Sequence, residues 1–336
     1  MGTAEINQRS ACGNEGSAMS QATAGARGEE ASHPGEIPKR GWKEVLLRVK
    51  DQVSSDNLSI VSAGVAFFAL LAIFPGISAL VTVYGLVTDP AQVEQQLSPL
   101  RELLPSNAFD IIAQQTRQVA SKASGSLSVG LVLSLVLAIW SANAGTKSII
   151  TALNIAYGEN EKRGFFSLNL WSLTFTVVGI LFMIVALMVV AAVPVAQAVA
   201  GSDGGPFQSA LLALRWLMMA ALMMLALAML YRYAPSRTSA RVQWVSAGAV
   251  AATVFWLLAS IGFSLYVRYF GSYDKTFGSL GAVVILLMWF YISTYVVCIG
   301  AELNGELERQ TRKDSTVGPD KPIGKRGAVV ADKKPT

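Results

Sequence analysis

The stretch LNLWSLTFTVVGILFMIVALMVVAAVPVAQAV, from Leu168 to Val199, decides what kind of protein this is. Thirty-two residues pass without one acidic, basic or histidine side chain. A helix needs about 20 apolar residues to cross a hydrocarbon core of about 30 Å. Working outward from this run, further apolar runs lie at about Leu58–Val87, Leu127–Ser141, Ser209–Leu230, Trp244–Val267 and Ser279–Leu303. The expected fold is therefore all-α: a polytopic membrane protein with six transmembrane helices plus short amphipathic helices. Composition agrees, with 52% hydrophobic and 15% charged residues in a chain of 336. Soluble domains carry roughly 25% charged residues. A disordered protein is excluded, and an ordinary soluble enzyme is a poor fit.

The apolar domain spans residues 39–312, framed by two tails expected to be disordered and cytoplasmic. Residues 1–38 are rich in Ala, Gly, Ser and Glu without apolar period, and residues 313–336 are basic with Pro and Gly. No basic-then-apolar signal peptide follows Met1. Lys39, Arg40, Lys43, Arg48 and Lys50 surround Trp42, Val45, Leu46, Leu47 and Val49, the pattern of a short helix on the cytoplasmic membrane surface. Between the first two spans, about 88–126, Val93, Leu97, Leu100 and Leu104, and again Phe109, Ile112 and Val119, recur at helical spacing. They predict two amphipathic helices outside the membrane.

Lysine and arginine counts set orientation. With the N-terminus inside, 21 of the 27 fall on the inner side and 5 on the outer, with Arg215 inside the fourth span. Both termini are thus expected in the cytoplasm. The net charge of +5 belongs to this topology and not to nucleic acid.

Rare residues exclude much chemistry. The single histidine, His33, and one of two cysteines, Cys12, sit in the N-terminal tail; the other, Cys298, is in a span. No Cys/His zinc site can be assembled from these, and a Ser-His-Asp or Cys-His nucleophile would depend on His33. A Cys12–Cys298 disulfide does not suit a reduced cytoplasm. No phosphate-binding, dinucleotide or calcium motif appears, nor an internal repeat. No cofactor and no metal are expected.

Several segments carry a resemblance when taken together: AGVAFFALLAIFP at 63–75, Ile139-Trp140-Ser141 followed by ALNIAY at 152–157, LYRYAP at 230–235, FGSLGA at 277–282 and GAELN at 300–304. In this order and spacing the chain resembles the YihY/BrkB family of bacterial inner-membrane proteins, from about Trp42 to Arg312. Phe277 stands where that family often has tyrosine. The resemblance implies six helices and an inner-membrane location. Members have carried labels as virulence factors, ribonuclease BN-like proteins and transporters of lipids or ions. Phosphodiester cleavage needs clustered carboxylates or histidines. Here Glu159, Glu161, Glu302, Glu306 and Glu308 are spread over two segments among arginines. The chain is not expected to be an enzyme.

The candidate site is a polar cavity or head-group site built from Asn143, Lys147, Asn154, Arg232, Arg237 and Glu302, each at the inner end of a span. Asn143, Lys147 and Asn154 share a helical face, guanidinium groups suit phosphate, and Glu302 is the carboxylate most tied to a span. The plainer alternative for each is anchoring at the interface. Pro75 permits a kink, and Gly278 and Gly281 permit close helix approach. The expected function is translocation of a lipid, envelope precursor or ion. A scaffold for envelope integrity is the alternative, and a ribonuclease is disfavoured. Expected partners are membrane lipids, with a second copy or an envelope protein open and nucleic acid not expected.

Overall fold

The computed structural model describes residues 25, 27–85, 114, 129–200, 206–270 and 279–333. The two amphipathic helices expected within about 88–126, as well as Cys12 and Gly278, lie outside them. The described elements are helical: Lys39–Ser55 (α1), Leu58–Gly85 (α2), Val129–Ala156 (α3), Phe165–Ala200 (α4), Pro206–Tyr233 (α5), Val242–Phe270 (α6), Ser279–Gln310 (α7) and the short Val329–Asp332 (α8). Among them, Phe165–Val189, Ala213–Tyr233, Val242–Arg268 and Gly281–Gln310 are long and apolar enough to cross a membrane. The bent pair of α1 with Leu58–Ile73 makes a fifth if it is one span.

Six long helices close a ring. Each of α2 to α7 packs on the next, α7 returns to α2, and α7 also touches α3. The apolar run expected to end near Ser141 belongs to a 28-residue helix, Val129–Ala156, that carries the polar face of Asn143, Lys147 and Asn154 without a break. The hydroxyls of its second half are satisfied within the helix. Thr146, Ser148 and Thr151 each donate to the carbonyl four residues back, at Ala142, Ala144 and Lys147. α2 runs through Pro75 to Gly85.

The helices are tightest at the end that gathers the loops α3–α4 and α5–α6. There α6 crosses α7 on two glycines. A methyl at Gly248 would meet the carbonyl of Gly300 and the amide of Asn304, and one at Gly300 would meet the Tyr231 hydroxyl and Ala252. Trp244, Val245, Ala249, Ala252, Ala301 and Leu307 are all buried around this crossing. Glycine allows the two backbones to approach because no Cβ intervenes.

α1 lies across the same end. Gly41, Val45 and Val49, spaced i, i+4 and i+8, are its buried face. It turns by 62° into α2 at Asn57, whose φ of 51° is the left-handed conformation that asparagine tolerates.

Residues 27–38 and 313–333 are not disordered tails, contrary to the sequence expectation. Arg326 is buried and donates to the carbonyls of Arg312, Lys313, Lys321 and Ala331. Asp332 accepts the N–H groups of Gly324, Arg326 and Gly327. Asp314 accepts those of Thr316 and Lys321. Thr311 and Arg312 tie down the N-terminal segment through the carbonyls of Glu29 and Ala31. The segments order through polar contacts, which hydrophobic periodicity does not register.

Packing loosens away from this polar end. On α4, every residue from Val177 to Leu181 is exposed, which covers the whole circumference of a 3.6-residue turn. From there to Val189 only Phe182, Ala186 and Val189 are half-buried, a strip one residue wide. The ring is closed at its polar end and opens along α4.

Candidate functional site

The first polar feature is the seam between α3 and α4. Lys147 Nζ donates to Asn169 Oδ1 at 2.5 Å. Ser172 Oγ donates to Asn143 Oδ1 at 2.5 Å. The hydroxyls of Thr146 and Thr176 share a hydrogen bond at 2.8 Å. On α4 the partners Asn169, Ser172 and Thr176 fall at i, i+3 and i+7, one face of an otherwise apolar helix. Lys147 is half-buried, and among the described residues no carboxylate lies within ion-pairing distance of it. It sits nine residues before Ala156, about 13 Å along the helix from the polar end. The seam ends at Thr176, where α4 becomes exposed all round. Trp140, Phe165, Phe166, Leu170 and Trp171 stand exposed near it.

The second feature is a knot at the polar end. Arg237 and Glu308 form a buried ion pair at 2.5 Å, with side-chain exposures of 2% and 0%. The Arg237 guanidinium also lies 4.9 Å above the Tyr157 ring, and Ser315 donates to Glu308. Burial opposes the Arg237 charge, but the Glu308 carboxylate outweighs it and raises the Arg237 pKa. Asn154 joins two loops: it donates to Glu161 at 2.9 Å and accepts the Ser236 N–H at 2.8 Å. Hydrogen bonds from Arg163 outweigh partial burial and hold the Glu161 carboxyl down at about 2. Arg48 of α1 reaches Glu306 and Gln310 of α7.

Glu302 is 2% exposed, and its Oε1 meets no hydrogen-bond donor among the described residues. It borders a cavity of about 20 Å³ shared with Gln52, Tyr157, Gly305, Glu306 and Lys333. That is room for about one water molecule. Arg232 stacks on Tyr233 at 5.2 Å, with its Nε buried and unpartnered among the described residues.

The six expected residues therefore do not line one cavity. Asn143 and Lys147 belong to the α3–α4 seam. Asn154 and Arg237 are consumed in loop and ion-pair contacts, Glu302 faces the space beneath α1, and Arg232 lies on its neighbouring tyrosine. The shared helical face of Asn143, Lys147 and Asn154 splits because α7 and the α5–α6 loop reach only its lower turn. Of the glycine and proline positions, Gly281 is buried at the start of α7, and the side-chain surroundings of Pro75 are outside the described residues. Sequence reasoning missed Asn169, Ser172 and Thr176, whose i, i+3, i+7 spacing was a readable signal, and Glu308, whose partner is 71 residues away. Among the described residues no group of three acidic, histidine or cysteine side chains is placed to hold a metal ion.

Comparison with known proteins bears on the whole of this architecture. The family model for virulence factor BrkB matches residues 49–323. The ribonuclease-like protein YfkH of Bacillus subtilis is 30% identical over 75% of this chain and 90% of its own length. A UPF0761 membrane protein of Rhodospirillum centenum is 25% identical over 89% of this chain and 65% of its own length. Another, from Aliivibrio fischeri, is 27% identical over 80% of this chain and 84% of its own. No solved structure matches the chain. The matched region runs from α1 through all the long helices and into the segment that wraps the polar end, so the chain is a membrane protein belonging to the virulence factor BrkB family.

Proposed function

We propose that the protein binds an anionic amphiphile, a lipid or envelope precursor, at the α3–α4 seam and moves it across the inner membrane. The observation that carries this is Lys147: a half-buried cation with an amide partner and, among the described residues, no carboxylate beside it, placed on the seam that leads to the open stretch of α4. An anionic head group would supply the charge Lys147 lacks, while Asn169, Asn143, Ser172 and Thr176 offer donors and acceptors beside it. The acyl chain would lie along the exposed stretch of α4, which has apolar residues on every side.

In this reading the polar end faces the cytoplasm, as the 21-to-5 distribution of basic residues implies. This reading does not include nuclease chemistry: four of the polar-end carboxylates are held in ion pairs, Glu306 with Arg48 and Arg309, Glu308 with Arg237, Glu159 with Lys162 and Glu161 with Arg163.

The test is native mass spectrometry of the detergent-solubilised protein with phosphatidylglycerol and phosphatidylcholine. Lys147→Gln should weaken phosphatidylglycerol binding several-fold and leave phosphatidylcholine unchanged. An unchanged preference in that variant would refute the seam as a head-group site and favour the scaffold reading.

A further inference from the structure

The helix α1 has a second face that nothing in the fold covers. Its inner face is fixed: Gly41 sits against the Arg27 carbonyl with no room for a Cβ, Val45 and Val49 are buried, and Arg48 bonds Glu306 and Gln310. The helix therefore cannot roll, and its outward residues are set. Lys39, Lys43, Leu46, Leu47 and Lys50 are all exposed. At i, i+4, i+7/i+8 and i+11 they form one stripe. Leu46 and Leu47 are 55% and 52% exposed between the lysines.

Five of these outward and flanking residues, Lys39, Trp42, Lys43, Leu46 and Leu47, line a hollow of about 420 Å³. Arg40 and Arg27 share Glu44, but among the described residues Lys39 and Lys43 have no carboxylate within ion-pairing distance. Exposed acids near the ends of the stripe are Glu36, which pairs with His33, and Asp51, next to Lys50.

We infer that this hollow is a binding site for an anionic phospholipid of the leaflet against which α1 lies. Two unpaired ammonium groups at the rim suit a phosphodiester. The leucines and Trp42 form an apolar floor that a free phosphate would leave unused and that the top of an acyl chain would cover. The 62° turn between α1 and α2 sets α1 at a steep angle to that helix. This site is separate from the α3–α4 seam and involves none of its residues.

The experiment uses the full chain in detergent, titrated with phosphatidylglycerol, phosphatidylcholine or inorganic phosphate, with bound species counted by native mass spectrometry. A cation near an anionic lipid surface contributes about 1 kcal/mol, so the double variant Lys39→Gln/Lys43→Gln should weaken phosphatidylglycerol binding by roughly fivefold per lysine. Its phosphatidylcholine binding should not change. Leu46→Ser/Leu47→Ser should weaken both lipids. A lysine variant with wild-type phosphatidylglycerol affinity overturns the proposal, and so does inorganic phosphate that displaces the lipid at equal concentration. Because Lys147→Gln is scored separately, loss of either site is visible without the other.

Discussion

Replacing Gly248 by alanine should destabilise the protein strongly, and replacing Gly262 on the same helix should not. A Cβ at Gly248 would be driven into the Gly300 carbonyl oxygen and the Asn304 side-chain amide, while one at Gly262 meets nothing within 4 Å. The nearest obstacle at Gly248 is the Gly300 backbone carbonyl, which cannot rotate away, so α6 and α7 must separate. Overpacking of this kind costs about 1–3 kcal/mol. Separation also strains the bonds of Asn304, which is 0% exposed, accepts the Gly248 N–H at 2.7 Å and donates to the Val245 carbonyl at 3.2 Å. Leaving such buried groups unsatisfied costs about 1–3 kcal/mol more. The sum is about 2–6 kcal/mol. Gly262→Ala instead gains roughly 0.5–1 kcal/mol from the lower entropy cost of alanine in a helix. Thermal unfolding in detergent, followed by size-exclusion of the surviving monodisperse protein, should show Gly248→Ala lower in Tm by on the order of 5–10 °C, with Gly262→Ala at or above wild type. Equal shifts for the two variants would refute the close crossing of α6 and α7.

Arg237→Gln should cost about 3–5 kcal/mol, because it strands a buried Glu308, and Arg237→Met/Glu308→Leu should recover much of that loss in the same thermal assay. Arg326→Ala should free residues 313–333, which limited trypsin digestion would detect as early loss of the C-terminal peptide while the long helices remain intact. The docking of that segment should also fall at low pH. Burial alone would raise the Asp314 pKa, but hydrogen bonds from Thr316 and Lys321 and the charge of Arg326 lower it. A lowered pKa means the stabilisation is present above the ordinary aspartate value of about 3.9 and is lost as pH falls below it. Pepsin should then release the segment faster at pH 2 than at pH 4 by more than its own pH activity explains, and Asp314→Asn should remove the difference. Reporter fusions after Gln114 and Gly204 should report an external location and one after Arg237 an internal location; a cytoplasmic signal at Gln114 would reverse the topology.

The long helices were legible because apolar runs announce themselves by the absence of charge, and each predicted run is contained in or overlaps a helix of the structure, of which four, or five with the bent α1–α2 pair, are long and apolar enough to cross a membrane. The continuity of α3 was not legible. Ser141, Asn143, Thr146 and Lys147 end the apolar run, yet the helix passes through them unbroken, with the hydroxyls of Thr146 and Ser148 satisfied by carbonyls one turn back. The terminal segments were misread for a related reason. Composition measures how much apolar surface a segment can bury, whereas residues 313–333 are held by Arg326, Asp314 and Asp332 gathering backbone groups. How the candidate residues group in space depends on contacts such as Asn154 with Ser236 and Arg237 with Glu308, each more than 70 positions apart. One sequence carries no signal for such pairs.

The distribution of polar groups bears on what could pass through the ring. An ion pathway needs polar or ionisable groups along the depth of the spans, because a bare ion in hydrocarbon is prohibitively unstable. Among the described residues the buried charged side chains of the spans are gathered at one end, Glu302, Glu306 and Glu308 on α7, while the buried polar groups farther in are single hydroxyls such as Thr176 of α4 and Thr253 of α6, each bonded to a carbonyl one turn back. Beyond Thr176 the described part of α4 is apolar and mostly exposed, with Phe182, Ala186 and Val189 half-buried. Such a surface offers an ion nothing, but an acyl chain needs nothing more than apolar contact, and only its head group must find polar partners. Lys147 and Asn169 lie on the polar seam that leads to this stretch. The arginine pairs and residues 313–333 close the polar end. In the proposed reading an amphiphile therefore reaches the seam from the side, between helices and out of the bilayer. Opening the polar end by Arg326→Ala should therefore leave lipid preference at Lys147 unchanged, whereas filling the open face of α4 with Gly179→Trp should reduce it.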